Sequence, residues 1–266
     1  LKELMSEANQ LVENGAKEIT LLGQNVNAYN FEKKRLSDLI LEMSKIKDLK
    51  RIRYTTSHPK DFTDDLVDVH KSCKKLMPLI HLPVQSGSNK ILQEMNRKHS
   101  IKEYLSVIQK IKKAKPNIEF SSDFIIGYPG ETCDDFQKTI ELMNNVKFIN
   151  SYSFVYSSRP GTPAYNLTNI DHHIAKKRLM DFQKTAEKIK SQYRNKLVNK
   201  ISSVLFENKT KYKNEYFGRD EYFNSVIVKS ESDLIGKTKN IKVLKVNQNT
   251  LFGEVVSNLS QKNYAA

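Results

Sequence analysis

Five times within residues 1–162 a short apolar run closes on small, amide or hydroxyl residues, and helical patterns lie between the runs. The runs cover residues 18–22, 51–56, 79–84, 120–126 and 150–156. Helical spacing falls at residues 1–14, 36–46, 61–73 and 101–113, and again after Thr132, where Phe136, Ile140 and Met143 recur every three or four positions. Strands alternating with helices predict a parallel sheet or a βα barrel, an α/β fold. In both, the carboxyl ends of the strands line the ligand site. Those ends read Gly23-Gln24-Asn25, Thr55-Thr56-Ser57-His58-Pro59, Gln85-Ser86-Gly87-Ser88, Gly127-Tyr128-Pro129-Gly130 and Ser157-Ser158-Arg159-Pro160-Gly161. Polar βα loops are common in any protein, which accounts for one closure well. Five together, with the rarer Gln24-Asn25 and Gln85-Ser86, count against that reading.

The fourth run carries the strongest local signal. Phe120, Phe124, Ile125 and Ile126 fit a strand covered on both faces, and Gly127, Pro129 and Gly130 break it before a helix. Asp123 sits inside this apolar run. A carboxylate there loses solvation unless it is paired, hydrogen-bonded or facing a polar cavity. It is either part of a site or a structural Asp that ties down neighbouring backbone.

The chain of 266 residues is long enough for one large domain and a small one. No apolar run approaches the roughly 20 residues that cross a bilayer, and the acidic start Leu-Lys-Glu-Leu-Met-Ser-Glu does not read as a signal peptide. The expectation is a cytoplasmic protein without a membrane partner. Two cysteines, Cys73 and Cys133, have no spacing that suggests a metal site or a disulfide framework. The net charge of +14, from 44 basic and 30 acidic residues, points to a polyanionic partner such as nucleic acid. An AT-rich genome, which favours Lys, Asn and Ile, is the competing cause.

Residues 171–200 form a long helical pattern with nine basic residues against three acidic ones. It reads as a backbone-binding or domain-linking helix, or as a solvated face over the apolar stripe Ile174, Leu179, Phe182, Ala186 and Ile189. From Ile201 the period changes. Short β-type runs at residues 204–206, 222–228, 241–246 and 251–256 predict a small all-β, OB-like barrel. Such barrels bind single-stranded or looped nucleic acid through basic and aromatic residues on one face. Tyr212, Tyr216, Phe217, Arg219, Tyr222, Phe223 and Lys229 are the candidates for that face, and half of the aromatics are equally candidates for its core.

The stretches Leu21-Leu-Gly-Gln-Asn-Val-Asn-Ala-Tyr29, Thr56-Ser-His-Pro59, His81-Leu-Pro-Val-Gln-Ser-Gly-Ser88, Asp123-Phe-Ile-Ile-Gly-Tyr-Pro-Gly-Glu131 and Tyr156-Ser-Ser-Arg-Pro-Gly-Thr-Pro-Ala164 occur in one order. In that order they resemble the radical S-adenosylmethionine methylthiotransferases, in particular the branch that modifies prenylated adenosine in tRNA. The end of the chain, with Gly218-Arg219 and Ile235-Gly236-Lys237, is similar to a TRAM domain, the family's RNA-binding module. The resemblance implies an incomplete six-unit βα barrel over residues 1–198 and a TRAM barrel over residues 199–262. It places Gly23, Gln24 and Asn25 near the methionyl amino group of S-adenosylmethionine and Gln85 and Ser86 on its ribose or carboxylate side. It further places Arg97 near the methionyl carboxylate and Ile125 to Gly127 along the adenine, with Asp123 in the same cofactor region. Tyr156, Ser158 and Arg159, with Arg219 in the TRAM domain, fall on the substrate side.

The family holds one four-iron cluster on a Cys-x-x-x-Cys-x-x-Cys loop and a second on a preceding domain, and neither set of cysteines is present. Cys73 and Cys133 do not replace them, because three thiolates must converge on one cluster. The expectation is therefore a C-terminal part of an enzyme whose intact form uses S-adenosylmethionine and two [4Fe–4S] clusters. That enzyme would take electrons from a donor protein and methylthiolate C2 of N6-dimethylallyladenosine in the tRNA anticodon stem-loop. Such a part is expected to be inactive alone. The alternatives are a methylthiotransferase for another substrate, threonylcarbamoyl-adenosine in tRNA or a ribosomal protein, and a non-catalytic tRNA-binding remnant.

Overall fold

A computed structural model of the chain describes residues 1–55 and 57–256. Thr56 and residues 257–262, which the sequence assigned to a strand end and to the second domain, lie outside the described residues. The chain divides into two compact units, Leu1–Lys190 and Ser191–Ala266.

The first unit carries β1 (Glu18–Leu21), β2 (Asn30–Phe31), β3 (Lys34–Arg35), β4 (Arg51–Tyr54), β5 (Leu79–His81), β6 (Glu119–Ile126) and β7 (Asn150–Val155). Its helices are α1 (Lys2–Glu13), α2 (Leu36–Ser44), α3 (Asp64–Ser72), α4 (Asn89–Glu94), α5 (Ile101–Ala114), α6 (Cys133–Val146) and most of α7 (His172–Asn195). β1 pairs in parallel with β4, and β6 pairs in parallel with both β5 and β7. The two ladders are joined where Ile52 bridges Leu76, with Ile52 N donating to the Lys75 carbonyl at 2.8 Å and Met77 N to the Ile52 carbonyl at 3.0 Å. Spatial order therefore follows chain order through β1, β4, β5, β6 and β7, and the unit is a partial βα barrel. β2 and β3 form a separate two-residue hairpin, with Glu32 and Lys33 at positive φ in its turn.

β6 shows how the layer is built. Phe120, Phe124 and Ile126 point to the helices, where the Phe124 ring meets Phe148 at 5.5 Å and Phe182 of α7 at 4.7 Å. Each such fully buried side chain contributes about 1.5–3 kcal/mol by leaving water. Ser121, Asp123 and Ile125 alternate onto the opposite, concave face. The helices start at local signals: Ser100 with Glu103 and Thr132 with Asp135 form capping boxes at α5 and α6.

Several boundaries differ from the sequence-based expectation. The ladder of β5 ends at His81 rather than Val84, because Pro83 has no N–H to donate and Gln85 turns into the left-handed region at φ +76°. Pairing nevertheless resumes at Gln85, which bridges Phe124. α3 starts at Asp64 rather than residue 61, since Pro59–Asp61 is a 3₁₀ turn ahead of the Thr63 cap. α4 and the β2–β3 hairpin are too short for periodicity to show them.

The second unit is a closed barrel of β8 (Ile201–Lys209), β9 (Glu215–Asp220), β10 (Ser225–Lys229), β11 (Thr238–Val246) and β12 (Thr250–Val255), in the order β10-β12-β11-β8-β9 with β9 returning to β10. Val204, Phe206, Tyr216, Val226, Val228, Ile241, Val243 and Leu251 fill it. β9 has no counterpart among the expected runs. Gly218 interrupts its apolar pattern because a Cβ there would run into the Leu205 carbonyl and Phe206 of the neighbouring strand. The run expected to start at residue 222 starts at Ser225, and residues between β9 and β10 form a turn.

Gly87 packs the loop after β5 against α6, where an added Cβ would meet the Lys138 carbonyl and Thr139 Cα. Gly87→Ala should lower unfolding stability by about 1–3 kcal/mol through overpacking, read as a reduced urea midpoint with an unchanged m-value.

Candidate functional site

Because the strands are parallel, the loops after β1, β4, β5, β6 and β7 all leave from the same edge of the layer. The loop after β1 is tied to the loop after β4. Asn27 Nδ2 donates to the His58 carbonyl and His58 N donates to Asn27 Oδ1, both at 2.8 Å, while Asn25 Nδ2 donates to Asp61 Oδ2 at 2.6 Å. Gly23 and Gln24 are exposed at this point. The loop after β4 then reaches the α4–α5 connection: the His58 and His99 rings meet edge-on at 5.3 Å. Arg97, two residues before His99, donates from Nη2 to the Pro83 carbonyl at 3.4 Å and feels the charge of Asp123 on β6.

The loop after β5 adds Gln85, whose N donates to the Asp123 carbonyl and whose carbonyl accepts from Ile125 N, each at 3.0 Å. Positive φ is uncommon for a non-glycine residue, and these two bonds hold Gln85 in it. Ser86 is buried, with its Oγ accepting from Ser88 N at 3.1 Å, and Ser88 Oγ donates to Asp135 Oδ1 at 2.6 Å. The loop after β6 turns at Gly127, φ +74°, where a Cβ would sit 2.7 Å from that of Ala175. Glu131 pins this turn: its Oε1 accepts from Gly127 N at 3.2 Å and from Arg178 Nη1 at 2.7 Å. Burial pushes the Glu131 carboxyl up, against the pull of Arg178. After β7, Tyr156 N donates to the Ile126 carbonyl at 2.8 Å and its ring meets Tyr128 at 4.9 Å. Ser158 is half-buried and Arg159 exposed further along this loop.

The geometry thus gathers Asn25, Gln85, Ser86, Arg97, Asp123, Ile125, Gly127 and Tyr156 around one set of strand ends. Sequence patterns do not single out Ser57, His58 or His99 as individual residues. Nor do they single out the concave face itself, where His81 Nε2 lies 3.3 Å from Asp123 Oδ2 and its ring 5.9 Å from that of Tyr152. Deeper on that face Arg53 Nε donates to Glu18 Oε1 at 2.9 Å. The alternating Arg51-Ile-Arg-Tyr54 pattern is the one sequence signal for a polar lining.

The cluster has polar capacity to spare. Among the described residues, Asn25 Oδ1, Ser57 Oγ, Arg97 Nε, both ring nitrogens of His99 and Tyr156 Oη are buried without a hydrogen-bond partner. Buried polar atoms are nearly always bonded, and each left unmet costs about 1–3 kcal/mol. A guanidinium within the field of two imidazoles and of the Asp123 carboxylate suits a zwitterionic ligand, with the cation taking a carboxylate. The connection carrying Arg97 and His99 also lines an open cavity of about 420 Å³ with Asn89, Gln93 and Glu103. An iron–sulfur cluster does not fit: among the described residues no three His, Cys, Asp or Glu side chains converge, Cys73 is buried, and Cys133 accepts a hydrogen bond from Arg178 Nη2 at 3.5 Å.

In the second unit Tyr216 belongs to the core and the Tyr222 ring meets Tyr193 at 6.3 Å. Arg219 lies over the Phe217 ring at 5.3 Å and the Phe223 ring at 4.2 Å.

Residues 1–143 match the Radical SAM superfamily and residues 195–256 match the TRAM domain. The chain belongs to the radical SAM superfamily. It is 53% identical over 264 residues to the tRNA-2-methylthio-N(6)-dimethylallyladenosine synthase of Pelagibacter ubique (strain HTCC1062), covering 98% of this chain and 59% of the relative. It is 47% identical over 260 residues to the protein of the same name from Wolbachia pipientis subsp. Culex pipiens (strain wPip), covering 95% and 59%. The chain therefore spans about 59% of the length of these relatives. Among solved structures, coproporphyrinogen III oxidase from Escherichia coli shares the fold with a TM-score of 0.55 at 11% identity, over 96% of this chain and 65% of that one.

The buried imidazoles make the fold acid-sensitive. Burial, with His58 and Arg97 beside it, pushes His99 down to about 4, and burial with Lys115 nearby pushes His70 down to about 3. In the unfolded chain both take protons near 6.5. Their contribution is complete above that value and is lost as pH falls toward the folded values. Stability should fall from pH 6.5 to 4, and His99→Gln should flatten the profile over that window by up to about 1.4 kcal/mol per pH unit, measured by denaturation at stepped pH.

Proposed function

We infer that this chain is the cofactor-binding and RNA-binding part of a tRNA methylthiotransferase that modifies C2 of N6-dimethylallyladenosine beside the anticodon. The name shared by relatives that are 43–53% identical over 95–98% of the chain supports the substrate. The observation that carries the cofactor half is the cluster of Ser57, His58, Arg97 and His99, in which Arg97 feels the charge of Asp123 and buried polar atoms are left without partners among the described residues. The working division between the two parts remains residues 1–198 and 199–262.

When bound, S-adenosylmethionine supplies the methyl group and, on reductive cleavage, the radical that removes the C2 hydrogen. The residues of this chain bind and orient it. Arg97, held on the Pro83 carbonyl, presents its guanidinium to the methionyl carboxylate, and His99 and Ser57 complete the polar wall. Asn25, with Gly23 and Gln24, takes the amino group through the free Oδ1. Gln85 and Ser86 meet the ribose side. The end of β6, from Ile125 to Gly127, lies along the adenine. Asp123 balances Arg97 across the pocket. Tyr156, Ser158 and Arg159 form the substrate side, and the TRAM barrel with Arg219 holds the anticodon stem-loop. Such an enzyme also uses two [4Fe–4S] clusters and an electron-donor protein; among the described residues of this chain no three His, Cys, Asp or Glu side chains converge to hold a cluster.

Two measurements test this. Mass spectrometry of tRNA nucleosides from cells lacking the gene should show loss of the methylthio derivative and accumulation of N6-dimethylallyladenosine; an unchanged nucleoside profile would refute the substrate. In equilibrium dialysis Arg97→Gln should weaken S-adenosylmethionine binding at least about tenfold, the loss expected for one charge-assisted contact. Equal retention by both chains would remove Arg97 from the pocket.

A further inference from the structure

One residue of the second unit occupies a backbone conformation unsuited to it. Among the described residues of that unit four have positive φ: Asn199, Asn214, Gly236 and Phe223. Asparagine and glycine adopt this region readily, whereas for a bulky side chain it is an outlier. Phe223 sits there at φ +66° between β9 and β10. The turn is built to keep it so. Asp220, fully buried, accepts from Tyr222 N at 2.9 Å and Asn224 N at 2.8 Å through Oδ1, and from Asn224 Nδ2 at 2.8 Å through Oδ2. Phe223 N donates to the Asp220 carbonyl and Asp220 N to the Asn224 carbonyl, each at 3.1 Å.

Strain of this kind persists only where the surroundings over-determine it, and it concentrates at binding sites. The strained ring is not put away in the core: Phe223 stays 44% exposed. Arg219 lies against it at 4.2 Å, reaches the Phe223 carbonyl from Nη1 at 3.4 Å and is held from behind by Glu207 at 3.5 Å. Phe217 continues the stack beneath at 5.3 Å from the guanidinium. An ordered series of ring, cation and ring ending on an exposed aromatic is the arrangement on which unpaired bases stack. The unit is also basic, with eleven Lys and Arg against seven Asp and Glu over residues 195–256.

We propose that Phe223, backed by Arg219 and Phe217, is the stacking platform for one unpaired base of the RNA partner. This rests on the RNA-binding reading above and names the residue that performs it. The test uses the full chain, fluorescence anisotropy with a labelled single-stranded oligoadenylate of about twelve nucleotides, within the span of such barrels, and a thermal melt of each variant. Phe223→Asn suits the left-handed turn, so its melting temperature should equal or exceed that of the parent chain. Its affinity for the oligonucleotide should fall roughly tenfold, as for one lost base stack. The dependence of affinity on salt should not change, because no phosphate contact is removed. Phe223→Trp should restore binding. Affinity within about twofold of the parent for Phe223→Asn, well short of one lost stack, overturns the proposal, as does a melting temperature lowered by that change or failure of Phe223→Trp to restore binding. A parent chain that binds no RNA at all overturns the RNA reading itself, independently of the nucleoside analysis.

Discussion

Parallel pairing of β6 with its neighbours on both sides is the constraint from which the rest follows. Parallel neighbours cannot be joined by a tight hairpin, so each connection runs through a helix packed on the layer and the chain re-enters every strand from the same end. β6 bonds β7 from Ser121 to Ile126 and bonds the β5 segment first at residues 79–81 and again at Gln85. That second contact lifts Gln85 and Ser86 to the level of Asp123 and Ile125. Val84 N, which donates to Ser122 Oγ at 3.0 Å, and Gly87 N, which donates to Thr139 Oγ1 at 2.9 Å, hold the same loop at that height.

The strand-end loops hold their shape through small sets of buried polar contacts beneath the ligand side. Glu131 joins the Gly127 turn to Arg178, and Asp135 joins the loop after β5 to the start of α6 through Ser88 and Thr132. The Asp135 carboxyl is pushed up by burial but held well below the ordinary carboxylate range by Ser88 and Thr132. A buried pair such as Glu131 with Arg178 adds little net stability over an apolar pair, yet removing one partner costs about 3–5 kcal/mol. Its consequence is positional: the pair fixes the Gly127 turn, while Ser57 Oγ, Arg97 Nε and the His99 ring nitrogens are among the buried polar atoms that have no partner among the described residues.

The second unit solves a different problem. A small all-β unit must close its edges, and the return of β9 to β10 does so. Close approach of the strands at Gly218 and Gly253 permits that closure, since a Cβ at either position would enter the neighbouring strand. Tight closure in turn forces the short β9–β10 connection, and Asp220 stabilises it at the expense of backbone comfort at Phe223.

Sequence alone determined the alternation of strands and helices, the five strand-end loops, the change of period at Ile201 and the family, because periodicity and local motifs record the state of the backbone residue by residue. It identified Asn25, Gln85, Arg97, Asp123 and Gly127 as candidates but left Asp123 open between a site and a structural role. Tertiary structure decided what depends on separation along the chain. His58 and His99 are 41 positions apart and meet only because the loop after β4 and the α4–α5 connection share one edge. Which aromatics of the second unit are core and which are displayed was likewise decided by barrel closure, which buries Tyr216 and leaves Phe223 at the surface. Burial and strain are properties of the packed whole, and no pattern of neighbouring residues encodes them.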